Sequence, residues 1–247
     1  MTYCIGMLLD AGLVLLSDSR TNAGVDHINT YRKMNIYERS GDRVLVLMTS
    51  GNLAISQSLI SILKERLGAE DGTRNLWNVP NLFEAARHIG DTLREVHKRD
   101  AEALQEFNIE FNASFILGGQ IRGEPMRLFK IYAAGNFIEA SPETPYFQIG
   151  ESKYGKPIID RVVKSDTTLD EAAKCALISM DSTIRSNLSV GPPLDLVCIR
   201  RDALRVLKHV NIEGGGDEYF SMIRARWGQS LRDAFGALPD PPWLNDA

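Results

Sequence analysis

The residues of this chain whose types and spacing could do chemistry lie almost entirely in its first fifth. Thr2 stands directly behind Met1, and a small second residue permits removal of the initiator methionine, which would leave Thr2 with a free α-amine. Such a residue carries nucleophile and base together. An α-amine with an ordinary pKa of about 7.7 to 8.0 is partly neutral at physiological pH and can take the proton of the hydroxyl on the same residue. Ser17-Asp18-Ser19-Arg20 closes a hydrophobic run, where side chains emerge at the end of a sheet, and Lys33 follows. A lysine beside the Thr hydroxyl would lower its pKa, with Asp18 pairing with the lysine and orienting it. The same three charged residues, Asp18, Arg20 and Lys33, could instead form exposed ion pairs worth under about 1 kcal/mol each.

Other chemistries lack their residues. There is no G-x-S-x-G, no GxxxxGK[ST], no GxGxxG after a strand and no H-E-x-x-H, so hydrolase-elbow, P-loop, dinucleotide and zincin readings have no anchor. His27, His88, His97 and His209 are isolated, and Cys4, Cys175 and Cys198 sit in apolar surroundings as reduced thiols, so metal and haem readings lose their usual ligands. The 247 residues are 44% hydrophobic and 24% charged, with 28 basic against 32 acidic residues and a formal charge of -4. That balance, scattered along the chain, offers no basic stripe for nucleic acid. The longest apolar runs, such as 44–48, are far too short to span a membrane and no secretory leader is visible, so a cytoplasmic protein without membrane partners is expected.

The elements that must position these residues begin with two β-prone pairs, 3–9 with 12–17 across Asp10-Ala11-Gly12, and 33–38 with 43–49 across Ser40-Gly41-Asp42. The period then becomes helical. Leu53, Leu59, Ile60, Leu63 and Leu67 define a first helix stopped by Gly68, and Asn81 with Glu84 makes a capping-box pattern ahead of a stripe from Leu82 to Val96. Strands resume at 109–117, 126–133 and 146–149. Thr168 and Glu171 cap a helix that ends near Asn187, strands 194–200 and 204–209 come after it, and a last helix puts Tyr219, Phe220, Ile223, Trp227 and Leu231 on one face. Strands in groups with paired helices between them disfavour a parallel sheet and suit two stacked antiparallel sheets, each covered outside by helices. No linker divides residues 1–238, which read as a single domain, and 239–247 is a Pro-rich tail.

Thr2, Ser17-Asp18-Ser19-Arg20, Lys33 and Thr49-Ser50-Gly51 opening a helix resemble the N-terminal half of proteasome β-type subunits in the N-terminal-nucleophile hydrolase superfamily. The stretches Thr2-Tyr3-Cys4-Ile5-Gly6 and Arg20-Thr21-Asn22-Ala23-Gly24-Val25-Asp26 are most similar to the bacterial proteasome-like Anbu family, and the resemblance covers nearly the whole chain. It implies an α+β fold, a four-layer αββα sandwich, with Thr2 as nucleophile, Asp18 and Lys33 as its activating pair, Arg20 supporting Asp18 and the Gly51 amide holding the oxyanion. An Asp and a Ser that support the amine in proteasome subunits fall on Asn187 and Val190 without a gap, and Ser189 serves only if the loop shifts by one.

The activity so implied is threonine-type peptide-bond hydrolysis, with an amidase on a small or unusual amide, or a catalytically quiet assembly subunit, as the alternatives. Thr21, Gly24, Thr30, Tyr31 and Ser50 would line a small, mostly polar substrate pocket without a charge preference. The resemblance further implies a peptide or protein substrate, self-association into a ring or helical homo-oligomer and no cofactor; it leaves an ATPase partner unidentified. Part of the aromatic load near the C-terminus, Trp243 above all, is expected at a contact between subunits, while Trp227 with Ile223 and Leu231 is expected to pack on the subunit's own core.

Overall fold

In the computed structural model, residues 1–22, 28–69, 72–214 and 216–244 are described. The chain opens with β1 (Tyr3–Leu9) and β2 (Gly12–Asp18), then a short ribbon of β3 (Arg20–Asn22) and β4 (Ile28–Thr30), and then β5 (Met34–Arg39) and β6 (Arg43–Gly51). Helices α1 (Leu53–Leu67) and α2 (Leu82–Glu106) come after them. Next are β7 (Ala113–Ile121), β8 (Arg127–Ile131), β9 (Phe137–Glu139) and β10 (Tyr146–Gly150), helices α3 (Ser152–Val162) and α4 (Leu169–Ser186), strands β11 (Leu194–Arg200) and β12 (Lys208–Ile212), and helix α5 (Glu218–Gly236).

Two antiparallel five-stranded sheets result, ordered β10-β1-β2-β11-β12 and β5-β6-β7-β8-β9. Their strands β1, β2, β6 and β7 are buried along nearly their whole length, as layers on both sides require. Between the sheets Cys4, Leu13, Leu15, Val44, Val46, Met48, Ile116, Leu128 and Val197 form the middle of the sandwich. Outside the second sheet, Leu59, Leu63, Ala85, Ile89 and Leu93 of α1 and α2 pack on Leu45, Leu47, Phe115 and Phe129. Outside the first, Ile159, Ala172, Ala176 and Met180 of α3 and α4 pack on Tyr3, Ile5, Met7 and Leu16. The four layers are therefore αββα, and the later helices cover the opposite outer face from α1 and α2.

The caps work as their sequences dictate. Thr168 and Glu171 close a reciprocal capping box on α4. At α2 the box is one-sided: the Asn81 side chain accepts from the Glu84 N–H, but the Glu84 carboxylate turns away to Arg74 and Arg87. Three boundaries differ from the sequence reading. α2 runs on to Glu106 through a polar but helix-favouring stretch, which moves the start of β7 from 109 to Ala113. Left-handed residues Asp202 and Leu204, with φ of 63° and 48°, hold a broad turn, so the last strand pairs over Lys208–Ile212 instead of 204–209. In α5, Phe220 and Ile223 are buried, whereas Tyr219 and Leu231 of the expected stripe are each 52% exposed.

Candidate active site

Thr2 sits at the mouth of β1, 7% exposed, where contacts of its own carbonyl and of Tyr3 fix the backbone. Its carbonyl accepts from the Glu151 N–H at 2.8 Å, just beyond the end of β10. The next residue, Tyr3, donates its N–H to Asp18 Oδ1 at 3.0 Å, and the Tyr3 hydroxyl is tied to Ser179 Oγ at 2.6 Å and to Gln148 Nε2 at 2.5 Å. Gly150 makes this closure possible. Its φ is +81° and a Cβ there would stand 1.9 Å from the Thr2 carbonyl oxygen, so no side chain fits.

Asp18 and Lys33 are brought together in a buried pair, Nζ to Oδ1 at 2.9 Å, at 0% and 6% side-chain exposure. The ammonium also donates to the Arg20 carbonyl at 2.5 Å, and Asp18 Oδ2 receives the Gly191 N–H at a long 3.5 Å. Burial pushes the Asp18 carboxyl above the ordinary carboxylate range, while the Lys33 ammonium and the Tyr3 and Gly191 N–H groups pull it down. Arg20 does not touch the carboxylate. Its guanidinium donates to the Leu188 carbonyl at 2.9 Å and packs over Gly191, where a Cβ would come within 2.4 Å of Cζ, so any support for Asp18 passes through the 188–191 loop.

A cleft of about 560 Å³ opens in front of Thr2, with Lys33, Thr49, Ser50 and Gly51 along one wall. Gly51, the last residue of β6, has φ of +106°, and a Cβ would meet the Asn112 carbonyl at 2.4 Å. Immediately after it the Asn52 side chain caps α1, accepting from the N–H groups of Ala54 and Ile55. Of the residues expected to bind substrate, Thr21, Tyr31 and Ser50 line the cleft. Thr30 does not, being exposed and paired with Arg20 in the β3–β4 ribbon, and Gly24 lies outside the described residues.

The Asn187 side-chain amide lies 3.5 Å from Met1 Sδ, and its oxygen accepts from the Ser189 N–H. Ser189 itself is not among the cleft residues. Sequence reasoning missed Asn112, Ser114, Lys130, Gln148, Glu151 and Ser152, all of which line the cleft. They arrive from the entry to β7 and β7 itself, from β8, and from β10 and its turn into α3, and only the Gly150-Glu151-Ser152 break between strand and helix carried a local sign. Cys4, beside the pair, has its thiol pushed up by burial and points Sγ at the Thr49 carbonyl at 3.7 Å. Among the described residues no group of three or more His, Cys, Asp or Glu could hold a metal ion, and no helix is long and apolar enough to cross a membrane.

This sandwich, with a threonine at the start of its first strand and a buried Asp-Lys pair beside it, defines the proteasome-like class of the N-terminal-nucleophile fold. The comparisons narrow it. An Anbu (ancestral beta-subunit) structure from Yersinia bercovieri is 52% identical, covers 97% of this chain and 98% of its own, and superposes with a TM-score of 0.91. The helical assembly of the Anbu complex from Pseudomonas aeruginosa is 50% identical over 98% of both chains, with a TM-score of 0.93. Proteasome subunit beta 2 of Nitrosopumilus maritimus is 23% identical over 212 residues, 83% of this chain and 89% of that protein. No family model matches the chain. The chain belongs to the Anbu family.

Proposed function

We propose that this chain is a threonine-type peptidase whose nucleophile is the Thr2 hydroxyl, armed by removal of Met1. The observation that supports this most is the Asp18–Lys33 pair, held at 2.9 Å out of water in a wall of the cleft that also contains Thr2. A buried ammonium whose own charge is compensated by a fixed carboxylate lowers the cost of forming the alkoxide nearby without leaving a bare charge in the core. While Met1 is attached, the Thr2 nitrogen is an amide and cannot accept a proton. Once freed, the amine takes the hydroxyl proton as Oγ attacks the peptide carbonyl, and the Gly51 amide steadies the oxyanion. The amine then returns the proton to the departing nitrogen, leaving an ester on Thr2. Water, deprotonated by the same amine, adds to that ester and releases the acid.

By analogy with the helical assembly formed by the Pseudomonas aeruginosa relative, the chain self-associates, which would seclude a nucleophile that has little selectivity of its own. The test is an acylation experiment. Purified protein treated with a β-lactone should gain the mass of the intact lactone on an N-terminal peptide that begins at Thr2 and lacks Met1. Thr2→Ser should keep the adduct and Thr2→Ala should lose it. An adduct elsewhere, or none on a chain that begins with Thr2, overturns the reading.

A further inference from the structure

The cleft holds a second cation that acyl transfer leaves unused. β8 runs antiparallel to β7, which runs antiparallel to β6, so the end of β8 lies level with the end of β6: Ile131 pairs with Phe115, near Ala113, the partner of Gly51. Along β8, Leu128 faces the inter-sheet core while Phe129 and Ile131 face the helices. Lys130 therefore shares the inter-sheet face with Leu128, since alternate strand residues point the same way. Leu128 meets β1 across the sandwich, where a Cβ on Gly6 would stand 3.0 Å from its Cδ1. From that crossing, Lys130 is the next same-face residue toward the sandwich end where Thr2 sits, and both line the cleft.

Nothing described neutralises it. Lys33 has Asp18 at 2.9 Å, whereas Lys130 has the Tyr132 ring, its Nζ 5.4 Å from the centroid, and no carboxylate within ion-pair reach among the described residues. The ring steadies the ammonium without consuming its N–H donors. Glu151, the one acid among the described lining residues, forms no ion pair with it. Elsewhere in the cleft lining Ser114, Asn112, Ser56 and Ser50 offer hydroxyls and amides but no charge. A half-buried cation with free donors, set in a neutral polar wall, is complementary to an incoming anion.

Resting on the acyl-transfer reading, we propose that Lys130 selects substrates that carry a carboxylate into the cleft. The carboxylate is either an acidic side chain near the scissile bond or the free C-terminus of a short peptide. The assembled Thr2→Ala protein measures this without turnover. Fluorescently labelled peptides are titrated by anisotropy in two pairs, one with Glu against Gln in a C-terminally amidated sequence, the other an uncharged sequence as free acid against amide. In at least one pair the carboxylate form should bind about tenfold more tightly, the scale of a charge-assisted hydrogen bond. The pair that shows the ratio identifies the source. Lys130→Met and Lys130→Gln should bring the ratio to unity, and Lys130→Arg should keep it. Equal binding in both pairs, binding of neither member, or a ratio that survives in Lys130→Met or Lys130→Gln overturns the proposal. The lactone experiment is independent: acylation of Thr2 with no carboxylate ratio removes Lys130 alone, and a ratio without acylation removes the peptidase reading alone.

Discussion

Lys33 and Asp18 depend on each other in a way that exposed charges do not. Removing one partner of a buried pair leaves the other uncompensated, so Lys33→Ala should cost about 3 to 5 kcal/mol of stability, read by denaturant unfolding, along with loss of Thr2 acylation. Lys33→Met combined with Asp18→Leu, which removes both charges, should recover much of the stability and none of the acylation. Thiol chemistry should be silent by contrast. Burial pushes the Cys175 and Cys198 thiols up to about 11, and Cys4 is raised as well, so alkylating reagents should modify the native protein at pH 8 far more slowly than the unfolded chain. Thr2, Asp18, Lys33 and Arg20 were legible as candidates because they sit in a short N-terminal stretch with recognisable spacing. Lys130 was not, since it joins the cleft only through strand order, and Glu151 left no more sign than the break between β10 and α3.

At the level of elements, the site is built where strands stop. β6 ends at Gly51 directly before the Asn52 cap of α1, and β10 ends at Gly150 directly before α3. Gly150→Ala should therefore act on Thr2 and not merely on a turn, because its Cβ would stand 1.9 Å from the Thr2 carbonyl. The expected result is loss of lactone acylation larger than any loss of helical circular dichroism. Asn52→Ala should cost about 1 kcal/mol, as N-cap losses do, and disturb the Gly51 wall. The long strands and capped helices could be read from periodicity. The β3–β4 ribbon could not, because Arg20-Thr21-Asn22 and Ile28-Asn29-Thr30 carry no alternating apolar pattern and pair only with each other. The shifted last strand has a similar origin: left-handed Asp202 and Leu204 set its start, and neither residue type announces that conformation.

For the whole molecule, acid is the expected weakness. His88 of α2 is 5% exposed, and burial together with Arg66 and Arg74 holds its pKa at about 4, against the opposing pull of Asp91 and Glu95. The unfolded chain takes up a proton near pH 6.5 and the native chain does not, so stability falls as pH drops from about 6.5 to about 4, by at most about 3 kcal/mol from this residue. His88→Gln should flatten that limb of the unfolding-against-pH curve. The far half of α5 and the segment after it leave Leu231, Phe235, Leu238 and Trp243 at 52%, 79%, 69% and 75% exposure. Truncation after Leu238 should lower the sedimentation coefficient of the purified protein if Trp243 lies at a contact between copies, and an unchanged value removes it from assembly. The buried carboxylate of Asp18 has a consequence in time as well as space. It binds the N–H of Tyr3, 15 positions away, and that of Gly191, 173 positions away, so the surroundings of Thr2 are completed only after most of the chain has been synthesised. On the acyl-transfer reading, a ribosome-bound fragment already rid of its first methionine would still lack the Gly191 contact to Asp18, and Thr2 would be armed only as the loop before β11 closes over the pair.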